Sequence, residues 1–224
     1  MESLEAERDR ARSLDVDELA DAIEAIGFEC TRCGACCKAV DCGDDGGDAE
    51  PHTATVFPDE IRHLMDADAD LDWRDVARPM PYGLTDGDDG PTGETFEWAL
   101  QTDACGDCTF YAEDEAGTGS CSVHADRPLI CRTYPFSVAL GGTSQPMGEA
   151  VDREGLVRAH ECEGLGRDIS REEAEELAAA LKARAVRELD EAIGVRDNYE
   201  PAETDGVVVH DSEGAKRPDG SSVQ

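Results

Sequence analysis

Lysine is nearly missing from this chain: it occurs only at Lys38, Lys182 and Lys216, so arginine supplies most of the positive charge. The 20 basic residues face 53 acidic ones, for a formal charge of −33 at pH 7. Such a surface repels nucleic-acid phosphates and anionic lipid, so neither nucleic acid nor membrane is expected as a partner. The acids are interleaved with periodic apolar residues, which points to a folded acidic surface rather than a disordered chain. Aromatic residues make up only 5% of the sequence, too few for an extensive hydrophobic docking face. The sequence indicates no particular protein partner. No apolar run approaches the ~18 residues of a membrane-spanning helix. The opening Met-Glu-Ser-Leu-Glu-Ala-Glu-Arg lacks the basic and then apolar pattern of a secretory leader. The expected compartment is therefore the cytoplasm, where thiols stay reduced.

What the chain does have is cysteine, ten in all. Four fall in one short stretch, Cys30-Thr-Arg-Cys33-Gly-Ala-Cys36-Cys37. In a reducing compartment such density reads as metal-binding or redox-active rather than as a disulfide framework. Adjacent cysteines such as Cys36 and Cys37 bridge only with strain. A Cys-x2-Cys turn bends the chain so that two thiolates meet one metal, and zinc and iron–sulfur clusters both use it. Cys30, Cys33 and Cys36 begin like a bacterial ferredoxin run, but the match ends there, because Cys37 is adjacent and no proline follows. A second, looser group comprises Cys105, Cys108, Cys121, Cys131 and, far downstream, Cys162. Two metal centres and one polynuclear cluster both fit this number of thiols.

Val16, Leu19, Ile23 and Ile26 line one face of a helix that ends at Gly27 and delivers the cysteine loop; Asp15 or Ser13 can cap it. Thr53–Phe57 reads as a short strand, and Pro58 opens a helix carrying Ile61, Leu64 and Met65. Thr95–Leu100 alternates, placing Phe96, Trp98 and Leu100 on one face of a strand. Ser170 and Glu173 form a capping box for a helix that Gly194 can close. The expected fold class is α+β: a small cysteine-rich, metal-stabilised domain with short strands over residues 28–170. An N-terminal helical segment (1–27) and a C-terminal helix (171–196) flank it, and an acidic tail (197–224) is expected to be disordered.

The cysteine pattern resembles the YkgJ-type cysteine cluster family, a zinc- or iron-chelating domain with a CxxCxxCC motif. The resemblance rests on Cys30-x2-Cys33-Gly-x-Cys36-Cys37, on Cys108-Thr-Phe-Tyr and on Cys121-Ser-Val-His. It continues through Arg127-Pro-Leu-Ile-Cys131-Arg-Thr-Tyr-Pro-Phe136 to Cys162-Glu-Gly-Leu-Gly166. It implies that Cys30, Cys33, Cys36, Cys37, Cys108, Cys121, Cys131 and Cys162 bind zinc or iron, including iron in an iron–sulfur cluster. Arg127 and Arg132 belong to the matching string and bracket Cys131. Beside a thiolate cluster their guanidinium groups would neutralise negative charge. Cys42 and Cys105 fall outside the pattern, as spare thiols or alternate ligands. His124 and His160 read as surface or hydrogen-bonded residues in preference to ligands, and His52, His63 and His210 as ordinary surface residues. The acidic composition resembles that of haloarchaeal proteins.

The reading carried forward is a cysteine-ligated zinc or iron protein of unassigned role. Its rival is an iron–sulfur oxidoreductase, or a protein lysine methyltransferase like the flagellin N-methylases among the family's relatives. No nucleophile–base–orienter set stands out, and no glycine fingerprint for S-adenosylmethionine is present.

Overall fold

The computed structural model of the chain describes residues 3–39, 51–87, 90–140, 150–152, 155–202 and 206–223. The N-terminal helical stretch is two helices, α1 (Leu4–Ser13) and α2 (Val16–Ile26), broken where Leu14 and Asp15 turn extended. Asp15 caps α2 by accepting from the Asp17 and Glu18 amides, and Gly27 ends it. Then follow β1 (Thr55–Val56), α3 (Pro58–Ala67), α4 (Trp73–Val76), β2 (Ala77–Pro79), β3 (Leu84–Gly87), β4 (Gly90–Thr95) and β5 (Trp98–Leu100). The cysteine-bearing middle contains the hairpin β6 (Tyr111–Glu113) and β7 (Gly119–Cys121), then α5 (Leu129–Thr133) and β8 (Phe136–Val138). After β9 (Ala150–Asp152) and β10 (Val157–His160) come the long α6 (Arg171–Asn198), β11 (Val207–Asp211) and β12 (Gly214–Lys216). The fold is α+β, with several small, mainly antiparallel sheets; β11 on β4 is a parallel pair.

Two separate apolar cores organise these pieces. In the first, Leu19 and Ile23 of α2 and Ala174, Ala178, Leu181, Ala185 and Leu189 of α6 pack on Phe136, Val138, Val157 and Ala159 of the β8–β10 sheet. The alanine-rich face of α6 lets its backbone approach α1 and α2 closely. Arg184 crosses this region almost fully buried, donating to Thr133 Oγ1 at 3.0 Å and Phe136 O at 3.3 Å and pairing with Glu188 at 2.7 Å. The second core gathers Val56, Ile61, Leu64, Trp73, Val76, Trp98, Leu100, Phe110 and Val209, with the side chain of Cys108 among them.

Three expectations change. Thr95–Leu100 is not one strand: the chain leaves one sheet at Thr95 and enters another at Trp98. Phe96 is therefore exposed, while Trp98, Ala99 and Leu100 are all buried. Helix α6 runs past Gly194 to Asn198. There the missing side chain serves close packing, since a Cβ on Gly194 would lie 2.5 Å from the Ser212 Cβ. The tail is not a disordered segment. Its strand β11 pairs in parallel with β4, and Val208, Val209, His210 and Asp211 are buried. His210 is thus an interior residue, bonded to Glu94 at 3.2 Å and stacked on Phe96, rather than a surface one.

The tail is locked by a buried polar knot. Asp211 Oδ2 accepts from the Trp98 indole at 2.9 Å and from Lys216 Nζ at 2.7 Å. Removing the carboxylate leaves the buried indole N–H unpaired and Lys216 with Glu213 alone, at 2.8 Å, at a cost of about 3 kcal/mol. Asp211→Ala is expected to lower the denaturant midpoint accordingly; a change within about 0.5 kcal/mol, typical of an exposed site, would show that the tail does not fold onto the body.

Candidate metal centre

The CxxCxxCC loop has little regular structure of its own, so neighbouring segments must hold it. An isolated bridge joins Phe28 to Leu165, and the Glu29 amide donates to Gly164 O at 3.0 Å. Gly119 N–H donates to Arg32 O at 2.7 Å, tying the loop to β7, and Cys108 N–H donates to Cys37 O at 2.8 Å. Within the loop the two Cys-x2-Cys turns each need a left-handed residue. Arg32 adopts φ 57° in the first and Gly34 φ 78° in the second. Gly34 O then accepts from the amides of Cys37 and Lys38 at 2.8 and 3.1 Å. A Cβ on Gly34 would lie 2.1 Å from Tyr111 Oη, so the phenol of Tyr111 covers the turn. That phenol donates to Glu113 Oε2 at 2.7 Å, and Lys38 pairs with the same carboxylate.

The remaining thiols come from rigid neighbours. Cys121 ends β7, and Cys131 sits inside α5. Pro128 is the N-cap of α5, and Glu60 of α3 fastens the helix by accepting from Leu129 N–H at 2.8 Å. Cys162 follows β10, and its sulfur accepts from Gly164 N–H at 3.4 Å. Tyr134 lies beside Cys162, Cys36 and Cys33 and donates its hydroxyl to Glu161 O.

The thiols are electrostatic neighbours. Cys36 and Cys37 stand 3.8 Å apart, sulfur to sulfur. That contact and then burial push the Cys36 thiol pKa up. Cys108 is pushed up to about 11, first by burial and then by Cys121 and Cys36. Cys131 moves up further, through burial and then Cys108, Cys36 and Cys121, although the residue keeps some exposed surface. Cys121 is raised by burial, with Cys36 adding to it. Cys162 is raised by burial and then by Cys33, Cys36 and Cys30. The charge of Cys36 thus reaches two sets of thiols. Among the described residues no three or more His, Cys, Asp or Glu side chains converge in a coordination geometry. Arg127 is the cation that opposes this repulsion, lowering the pKa of Cys36, Cys121 and Cys131.

The CxxCxxCC family model, described as a "Putative zinc- or iron-chelating domain", matches residues 29–163. The chain belongs to this family. That membership supports metal binding in general, with zinc or iron as the metal. No curated protein and no solved structure matches the chain. The matched CxxCxxCC stretch begins beside the Phe28–Leu165 bridge and ends beside Cys162.

All eight cysteines nominated from the sequence are free thiols in this CxxCxxCC domain. Cys105 is disulfide-bonded, which departs from the reduced state expected of it, and Cys42 lies outside the described residues. The two nominated arginines separate: Arg127 faces the thiols, whereas Arg132 is exposed on the outer side of α5. His124 is exposed, with its pKa lowered by Arg127, and its carbonyl accepts from Arg127 Nε at 3.0 Å. His160 is buried and shares a 2.9 Å hydrogen bond with Ser137 Oγ. Sequence reasoning missed Glu60, Tyr111 and Thr31. Glu60 accepts locally from the Phe57 amide at 3.1 Å, but its reach to Leu129 spans 69 residues. Among the described residues no helix is long and apolar enough to cross a membrane.

Protonation separates these thiols kinetically. A raised pKa leaves a thiol neutral at pH 8, and only the thiolate attacks an alkylating reagent. In metal-free protein at that pH, exposed Cys30 is expected to alkylate at least ~10 times faster than Cys108 and Cys131. Site-resolved mass spectrometry gives the order; equal rates would show that the metal-free site is open.

Proposed function

We propose that the domain binds zinc or iron through two sets of four thiolates. Cys30, Cys33, Cys36 and Cys162 form one, and Cys37, Cys108, Cys121 and Cys131 the other. One observation carries this reading: the loop thiols and those of Cys108, Cys121, Cys131 and Cys162 feel one another's charge, with Cys36 acting on both sets. The division follows the packing. Cys37, Cys121 and Cys131 lie against the core that holds Cys108, whereas Cys162 is coupled to Cys30, Cys33 and Cys36.

The residues suit such a metal. Thiolate sulfur is a soft donor, appropriate to zinc and to iron–sulfur chemistry. The Thr31 hydroxyl is buried without a hydrogen-bond partner, within the loop that carries the cluster. It can donate to a thiolate sulfur there. Arg127 offsets part of the charge of the second set. The bound metal supplies the positive charge that keeps the thiols ionised, and it ties their segments together. Binding must release the protons that the raised pKa values hold, so affinity is expected to fall as pH falls.

The iron–sulfur form of this reading and the zinc form part on colour. Protein purified without oxygen shows brown charge-transfer absorption in the first case, and is colourless with stoichiometric zinc in the second. In either case Cys131→Ser and Cys162→Ser are each expected to remove about half of the bound metal, because each empties one set. Cys105→Ser is expected to leave the metal content unchanged. Full metal retention in both Cys131→Ser and Cys162→Ser would overturn the assignment.

A further inference from the structure

Beside α5, a cleft of about 390 Å³ is lined by Asp59, Glu60, His63, Asp126, Arg127 and Arg132, among others. Its volume lies within the ~300–1,000 Å³ range of small-ligand sites. Three carboxylates line it, yet each is already occupied. Asp59 pairs with Arg187 at 2.5 Å. Asp126 pairs with His63 at 3.0 Å. Glu60 spends one oxygen on the Leu129 amide at 2.8 Å and the other on the Phe57 amide at 3.1 Å.

The two arginines are differently placed. The Arg132 side chain has no hydrogen bond or ion pair among the described residues, in a chain with 53 acidic side chains. Arg127 spends only Nε, on His124 O, which leaves both terminal nitrogens without hydrogen bonds. Two uncommitted guanidinium forks over one cleft, walled by committed acids, are the donor arrangement that planar oxyanions select. We propose that this cleft binds a small dianion, phosphate or dicarboxylate, between Arg127 and Arg132, next to the thiol cluster. Arg127 lines the cleft and its charge also acts on Cys36, Cys121 and Cys131, so it borders both sites. The inference does not depend on which metal the thiols hold.

Isothermal titration of the protein as isolated, with inorganic phosphate and separately with malonate at fixed ionic strength, tests this. Saturable one-to-one binding of either probe is expected, and the stronger probe identifies the source of the anion. Arg132→Gln should weaken that binding at least ~10-fold, since it removes a charge-assisted fork. Arg74→Gln, at an arginine outside the cleft, should leave it unchanged. Metal content measured on the same Arg132→Gln sample separates this proposal from the thiol assignment, because metal is expected to be retained. If that variant sheds metal, Arg132→Lys decides: it keeps the charge, loses the fork, and should still bind several-fold more weakly. Absence of saturable binding by both probes, or unchanged affinity in both Arg132 variants, overturns the proposal.

Discussion

The structure depends on a loop that cannot hold itself. Residues 29–38 make few bonds within the loop beyond the turn at Gly34. Their position comes from three outside contacts: Glu29 to Gly164, Arg32 to Gly119, and Cys37 to Cys108. The first leads to the helical core through Phe28 and Leu165, and the third leads into the core around Trp98 and Phe110. The loop is therefore the seam between two cores. A shift of either core moves one set of thiols relative to the other.

That seam explains why a metal would matter to the whole fold. Each core is small, and the α6 face of the first is largely alanine. Net stability of a domain is about 5–15 kcal/mol. Binding of a structural zinc by four thiolates releases about 10–16 kcal/mol at neutral pH, as large as the entire balance. Without that term the thiols repel one another as they ionise, and burial adds to the penalty. With it, the same crowding becomes multidentate ligation. Surface ion pairs, abundant in this acidic chain, are each worth about 0–1 kcal/mol and do not compete with it.

Local features were legible in the sequence, and long-range ones were not. The caps at Asp15 and Ser170, the proline opening at Pro58, and the cysteine spacing each involve neighbours within a few residues. The break at Phe96 was invisible because alternation continues through it while the chain changes sheets. The tail was misread for a related reason. Val207-Val208-Val209 is unremarkable alone, and its value comes from pairing with residues 93–95, more than 100 positions away. The polar residues that made the tail look disordered include Asp211 and Lys216, which satisfy each other and Trp98 in the interior. The eight nominated cysteines are free thiols, but no spacing rule predicts that the charge of Cys36 reaches both Cys131 and Cys162.

The scarcity of lysine sharpens the meaning of the few cations placed with purpose. Lys38 holds Glu113 beside the turn of the cysteine loop, Lys182 donates to Leu14 O at 2.6 Å across the helical core, and Lys216 fastens the tail. Each ammonium acts as a point anchor. Arginine does the planar work. Arg184 bridges α6 to α5 and β8 inside the first core, and Arg171 gathers Asp17, Asp21, Glu24 and Glu175 on its surface. Arg127 and Arg132 differ from these anchors, because their terminal guanidinium nitrogens are uncommitted and both border one cleft. Arg127 precedes α5 and Arg132 lies within it, and both line the cleft. The charge of Arg127 also reaches Cys36, Cys121 and Cys131, so an anion held in the cleft would compete with the thiolates for the same guanidinium.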